Sequence, residues 1–448
     1  MPARYHRSFI LWSSWLSLRQ WRRRIIFWCG ALAVGGAAVG LAVAADHVLE
    51  LFSMLVERWF WVPLLLTPVG FAAIAYASGE WFPGTQGSGI PQVIAARQLP
   101  KGTGGRQRLV SLRVLVGKVL LTILGLGCGA SIGREGPTVQ IGAAIMNLAG
   151  RVGGMRMQPG LLLAGGAAGV AAAFNTPLAG IVFAIEELSR SFEQRTNGLV
   201  LSAVVVAGLA SLALLGNYTY FGNSQADLIG SKDVFAVLVC GIGGGLLGGL
   251  FSRGLVYSTR HGRLLFKGWI GSHPVLFAAG CGLGVAILGV ASGGTIYGTG
   301  YLEAQGLMEG TSDLNWTYGP LKLLATLLSA ISGIPGGIFA PSLSVGAGVG
   351  AAFGELLPSL PLSTMILLGM VGYFSGVVQS PITAFVIVME MTASHQMLIP
   401  LMATSILAFG ISRLVCRRPV YHALAQTIRR REIQADKQKA KPENEAGA

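Results

Sequence analysis

The chain has 448 residues, of which 52% are hydrophobic and 12% charged, about half the charge of an ordinary soluble domain, and this excludes a soluble globular protein. Its formal charge of +14 does not indicate nucleic acid, because the basic residues stand in short clusters between long uncharged stretches. No nucleic-acid partner is expected.

Residues 1–24 form a basic, partly aromatic cytoplasmic lead-in that ends in Arg19, Arg22, Arg23 and Arg24. Apolar runs then follow at Ile25–Ala45, Trp59–Gly79, Met157–Ile185, Val234–Ser252, Gly268–Leu302, Leu323–Gly354, Leu356–Met389 and Met391–Ser412. A run of about 20 such residues crosses a bilayer as a helix, so the predicted class is an all-α polytopic membrane protein with lipid as its surroundings. The first run is long for a signal peptide and reads as the first membrane helix, with Asp46 to Arg58 a short external connection after it. Basic clusters recur at Lys101–Arg113, Arg253–Lys267 and from Arg413 onward, while Asp227–Asp233 and Glu303–Asp313 are neutral or acidic. The basic segments read as cytoplasmic, which puts both termini inside.

Gly84-Thr-Gln-Gly-Ser-Gly-Ile-Pro91 is a glycine-dense turn that predicts a helix start with Ser88 at the N-cap. The Ser88 hydroxyl either caps that helix alone or also faces a ligand. Lys118 heads an apolar run, where it either snorkels to the interface or balances buried negative charge.

Gly133-Arg-Glu-Gly-Pro137 predicts another helix start, since glycine allows the tight turn and proline fits a first helical turn. Apolar sequence flanks it, so Glu135 lies at membrane depth, where a carboxylate marks a functional site. Glu186 and Glu187 end a later apolar run, next to Arg190, Glu193 and Arg195, and an interfacial salt bridge is open to either.

The motif returns 204 residues later as Gly337-Ile-Phe-Ala-Pro341, with Phe339 in place of Glu135. Gly142 falls on Gly346, Gly165 on Gly369, Pro177 on Pro381 and Glu186 on Glu390 without a gap, which indicates an internal duplication of the kind transporters use. The expected segments are 1–24, a first membrane repeat at 25–226, a second at 227–425 that includes a pore-facing last helix, and a polar cytoplasmic tail at 426–448. Gly245-Leu-Leu-Gly-Gly249 has the small-residue spacing for close helix packing in lipid.

Other chemistries lack their residues. Residues 243–248 fit G-x-G-x-x-G without a strand–turn–helix context, and the P-loop pattern is missing, so neither a dinucleotide nor ATP is expected. The cysteines at 29, 128, 240, 281 and 416 form no C-x-x-C pair and read as unpaired packing residues. The six histidines show no ligand spacing, so no metal and no cofactor are predicted. An intramembrane enzyme using Glu135 with Glu186 or Glu187 would lack an activated nucleophile.

Tyr421 follows Pro419 and gives a fourth helix start, after those at Ser88, Glu135 and Phe339. Helix starts carry unsatisfied N–H groups and the positive end of the dipole. Brought together, they would hold an anion without a full positive charge, and the hydroxyls of Ser88 and Tyr421 would donate to it. Ionised Glu135 would compete for that site and, once protonated, would vacate it.

Gly87-Ser-Gly-Ile-Pro91, Gly133-Arg-Glu-Gly-Pro137, Gly337-Ile-Phe-Ala-Pro341 and Tyr421 resemble, in order, the four signature elements of the CLC chloride channel and transporter family. The resemblance spans about residues 25 to 425 and implies a homodimer with one pore per subunit, each built of two inverted halves of tilted, partly broken helices. By that resemblance Ser88 and Tyr421, with the backbone N–H groups of Ile338 and Phe339, are the chloride ligands, and Glu135 is the external gate. Glu187 resembles the internal proton-transfer glutamate where channel members commonly have valine. The resemblance thus implies a non-enzymatic chloride/proton antiporter of a bacterial inner membrane, with a passive voltage- or pH-gated chloride channel as the alternative. One departure is Gln92, where bacterial exchangers often have acidic residues.

Overall fold

The computed structural model describes residues 17–100, 103–155, 158–189, 198–216, 221, 232–261, 272–312, 314–358 and 360–445. The expected loop at Asp227–Asp233 falls mostly outside these residues. So do Arg190, Glu193 and Arg195 beside Glu186 and Glu187, and so do the first 16 residues.

The first half holds α1 (Leu18–Arg58), α2 (Pro63–Glu80), α3 (Ile90–Gln98), α4 (Gly104–Leu109), α5 (Leu112–Gly127), α6 (Glu135–Val152), α7 (Pro159–Phe174), α8 (Pro177–Phe183) and α9 (Gly198–Leu215). The second holds α10 (Lys232–His261), α11 (Pro274–Ala291), α12 (Tyr301–Glu309), α13 (Tyr318–Ile331), α14 (Phe339–Leu356), α15 (Leu362–Val378), α16 (Pro381–Thr392) and α17 (Leu398–Val415), and α18 (Val420–Glu445) closes the chain. Five helical stretches among the described residues are long and apolar enough to cross a membrane, and several shorter apolar helices lie between them. The protein is an all-α integral membrane protein.

Several sequence boundaries move. Asp46 to Arg58 is not a connection but the last part of one 41-residue helix, α1. That stretch holds no glycine or proline to end the helix, and its acid Asp46 is used in an ion pair 2.7 Å from Arg134. The run Met157–Ile185 is broken at Asn175, whose left-handed backbone (φ 54°) ends α7 before Pro177 opens α8. Gln379 breaks the other half in the same way (φ 56°) before Pro381. In both places proline cannot continue the preceding helix and is suited to start the next. The polar segment from 426 onward is the continuation of α18 through Glu445. Arg108 of α4 holds it by ion pairs of 2.7 Å to Glu432 and to Asp436.

Glycine allows the helices to touch backbone to backbone. A Cβ on Gly142 would fall 2.2 Å from the Gly165 carbonyl oxygen, and one on Gly346 would fall 2.7 Å from that of Gly369. The repeat offset of 204 thus relates two helix crossings, α6 on α7 and α14 on α15. In α10, Gly244 and Gly248 abut Gly372 and Gly376 of α15, while Gly245 and Gly249 abut Ala408 and Ser412 of α17. These approaches bring the van der Waals contact that drives association in lipid, where burial of apolar area supplies little. All five cysteines are free.

Two reciprocal exchanges relate the halves. Gly133 N–H donates to Gly337 O at 2.8 Å, and Gly337 N–H to Gly133 O at 2.7 Å. The Glu186 carboxylate accepts from the Ile382 and Thr383 N–H groups at the start of α16, and that of Glu390 from Leu178 and Ala179 at the start of α8. Contacts of i with j and of j with i define a twofold relation. The two halves are inverted repeats packed about such an axis.

Candidate functional site

Three loops meet near the middle of the molecule. Besides the Gly133–Gly337 exchange, Gly87 N–H donates to Ile334 O at 3.2 Å and Gly336 N–H donates to Gly87 O at 3.1 Å. The backbone polar groups of these non-helical segments therefore satisfy one another, as membrane depth requires. A Cβ on Gly136 would fall 2.4 Å from Ser88 Oγ, and one on Gly337 would fall 2.9 Å from Gly136 N. The starts of α3, α6 and α14 are thus drawn together, and Tyr421 at the start of α18 joins them with its ring 5.8 Å from that of Phe339.

Glu135 and Phe339 are each the first residue of their helix, α6 and α14, so the duplication preserves the register expected from Pro137 and Pro341. Ser88 differs from expectation. The N-cap of α3 is Gly89 (φ 104°), whose N–H donates to Gln92 Oε1 at 3.0 Å. Glycine is required there for its positive φ, and Gln92 does the capping with its side chain. The buried hydroxyls of Ser88 and Tyr421 face each other, and neither makes a hydrogen bond of good geometry among the described residues. Unsatisfied buried hydroxyls are costly, and these two look onto a cavity of about 600 Å³ that Ile338, Gln92 and the exposed Arg431 also line. The N–H groups of Ile338 and Phe339 lie at the head of α14, where no acceptor is available within the helix.

Glu135 is fully buried. The Tyr301 hydroxyl donates to one of its oxygens. The other turns toward the backbone N–H groups of Glu135 and Ala340 without a hydrogen bond of good geometry. The carboxylate therefore lies at the positive end of α14, in a slot suited to an anion. Arg134, the N-cap of α6, sets its guanidinium 5.7 Å from the Tyr301 ring centroid.

Glu187 lies on a π-helical turn, Ala184–Ser189, that continues α8. It is buried, accepts a hydrogen bond from Ser380, and has His422 Nε2 3.5 Å from Oε1. The Tyr421 hydroxyl is within electrostatic reach of both Glu187 and Glu135. The Phe339 ring lies against Phe174, Phe183, Phe374 and Tyr421 at centroid separations of 4.9 to 6.0 Å. Of the sequence-derived site, then, Ser88, Glu135, Ile338, Phe339, Tyr421 and Glu187 come together, whereas Glu186 turns away to cap α16.

Lys118 does not snorkel, and it pairs with no acid among the described residues. It is fully buried, and Nζ donates to Thr85 O at 2.7 Å and Gly87 O at 2.5 Å, which pins the Ser88 loop. At the repeat offset, Lys322 donates to the carbonyls of Ile296, Tyr297 and Gly298 at 2.8 to 3.1 Å and pins the loop before Tyr301. Sequence reading missed Tyr301, Lys322 and His422. The first two had a signal: Gly298-Thr-Gly-Tyr301 repeats Gly87-Ser-Gly-Ile90 at an offset of 211, and Lys322 is Lys118 plus 204.

The same architecture occurs in solved structures. A slow cyanobacterial Cl-/H+ antiporter superposes with a TM-score of 0.79 at 25% identity, over 91% of this chain and 98% of that one. A CLC-type fluoride/proton antiporter gives 0.75 at 23% identity, over 91% and 99% of the two chains. A eukaryotic CLC transporter gives 0.73 at 20%, over 92% of this chain and 75% of the other; at these two lower identities the likeness is one of fold. The sequence model of the family described as "Voltage gated chloride channel" matches residues 69–413, a span that includes the Ser88, Glu135, Phe339 and Glu187 segments. With its helix starts converging as described and most of its length matched, the chain belongs to the voltage-gated chloride channel (CLC) family.

Proposed function

We propose that this protein carries chloride across the membrane in exchange for protons, a transport role and not an enzymatic one. Family membership and the likeness to a Cl-/H+ antiporter support chloride as the substrate. The observation that carries exchange over a passive channel is the pair of buried carboxylates, Glu135 and Glu187, both within electrostatic reach of the Tyr421 hydroxyl.

In this reading chloride is held by the hydroxyls of Ser88 and Tyr421 and by the N–H groups of Ile338 and Phe339. These dipoles attract an anion without the strong binding that a lysine or arginine would bring, so the ion can leave. Ionised Glu135 occupies the outer part of the same path and repels chloride. On protonation it loses its attraction to the head of α14 and yields the slot. Glu187 receives protons from the cytoplasmic side.

The reading also makes the protein a homodimer with one pore per subunit in a bacterial inner membrane. The basic segments at both ends support cytoplasmic termini.

The test uses purified protein in liposomes under a chloride gradient with no other driving force. Chloride efflux is expected to draw protons inward, and Glu135→Gln to end proton movement. Chloride flux from the wild-type protein with no proton movement would reject exchange in favour of a channel.

A further inference from the structure

His422 follows Tyr421 on α18, and its imidazole is turned to the carboxylate of Glu187. Nε2 lies 3.0 Å from the Glu187 backbone oxygen and 3.5 Å from Oε1. The Glu187 side chain is 1% exposed and that of His422 is 16% exposed, so the imidazole reaches solvent where the carboxylate does not. On the other side of the carboxylate, the Ser380 hydroxyl donates to Oε2. The Glu187 carboxylate thus has a hydroxyl bonded at Oε2 and, facing Oε1 at 3.5 Å, an imidazole, a group able to take up and release a proton.

We propose that His422 is the proton relay between cytoplasmic water and Glu187, an inference that rests on the exchange reading above. A proton from water adds to Nδ1 of the neutral ring. Rotation of the ring closes the remaining distance, the Nε2–H bond breaks as the Oε1–H bond of Glu187 forms, and a neutral imidazole and a neutral carboxylic acid result. Exchange with water restores the first tautomer. One proton has moved, and nothing is oxidised or reduced.

Among the described residues, the other charged and titratable groups around the pair are engaged elsewhere or lie apart, save the Tyr421 hydroxyl, which is within electrostatic reach of Glu187. Glu186, on the same π turn, is bonded to Ile382 and Thr383 N–H. Arg97 of α3, which packs on α18, donates to the Leu188 carbonyl. Tyr421 lines the cavity of about 600 Å³ with Ser88. Arg413 lines, with Glu186 and Ser380, a separate cavity of about 360 Å³.

The variant that separates relay from packing is His422→Gln, whose amide retains a donor for the Glu187 carbonyl but accepts no proton in the physiological range. Chloride and proton fluxes are measured together in liposomes while the pH on the α18 side is varied across about 5 to 8. The ratio of protons to chloride moved is expected to fall about tenfold, and the residual proton flux to lose its dependence on pH over that interval. His422→Ser, which fills less space, should give the same loss, so poor folding of one variant leaves the other to decide. A wild-type proton-to-chloride ratio and pH profile in either folded variant would overturn the relay. If the wild-type protein moves no protons at all, the exchange reading fails and the relay with it, whereas uncoupling by Glu187→Gln alongside normal His422 variants would remove the relay only.

Discussion

Glu186 and Glu390, 204 residues apart, each cap the first turn of the helix that belongs to the other's half. Glu186 reaches Thr383 N at 2.6 Å and Ile382 N at 3.1 Å, and Glu390 reaches Ala179 N at 2.7 Å and Leu178 N at 3.2 Å. Both acids are half-buried, and each places a full negative charge at a helix start that proline has opened, where N–H groups have no acceptor of their own. Replacing either by glutamine keeps the shape and removes the charge. Each single variant is expected to cost about 1–2 kcal/mol, read as a lower midpoint of thermal unfolding in detergent. The two losses should be of similar size, since the halves present them with equivalent partners; a loss at one position only would show that the symmetry of the contacts is not one of energy.

Tyr301 holds the Glu135 carboxylate from the start of α12. A hydrogen bond to a charged group contributes about 1.5–3 kcal/mol, and here it favours the seated, ionised side chain. Tyr301→Phe removes the donor and little else, because the ring contact with Phe221 at 5.5 Å is kept. The gate should then release more readily, and chloride flux at a fixed neutral pH should rise by roughly tenfold to a hundredfold. Unchanged or slower flux from a folded variant would count against Tyr301 as the latch.

Lys118 and Lys322 are both wholly buried and are spent on backbone carbonyls. Substitution by methionine retains the stem and leaves two or three carbonyl oxygens unsatisfied, at about 1–3 kcal/mol for each site. Calorimetry or thermal unfolding should register both. Their functional effects should differ, because Lys118 secures the loop that carries Ser88 and Lys322 the loop that leads to Tyr301. Weaker chloride binding by isothermal titration is therefore expected for Lys118→Met and a faster gate for Lys322→Met.

The glycine contacts make a sharper structural forecast. Alanine at Gly142 or Gly346 would set its Cβ 2.2 or 2.6 Å from backbone atoms of the neighbouring helix, where nothing flexible can move aside. Overpacking of this kind costs about 1–3 kcal/mol or more, and folded protein recovered from membranes should fall sharply for both. Gly36→Ala, with nothing within 4 Å of the added atom, should be recovered at wild-type yield.

Much of the site was legible because helix starts at membrane depth need particular residues. Glycine permits close approach at Gly133, Gly136 and Gly337, proline suits the first turn at Pro137 and Pro341, and the offset of 204 fixed their correspondence. The N-cap of α3 was misplaced by one residue because Ser88 resembles a better cap than glycine, and only the reach of Gln92 back to Gly89 N–H removes it from that duty. Helix α1 was cut short because Asp46 reads as the end of a span until Arg134, 88 positions away, is seen to pair with it.

Composition and periodic spacing by themselves determined a many-helix membrane protein, its duplication, and the four helix starts fit to face an anion. Those properties follow from local requirements, namely apolar length, turn geometry and a backbone that must satisfy its own polar groups in lipid. Tertiary structure alone decided that Tyr301 meets Glu135, that His422 meets Glu187, and that both lysines donate to backbone carbonyls. A side chain of several rotatable bonds takes whichever buried partner the packing brings within reach, and sequence carries no measure of that distance.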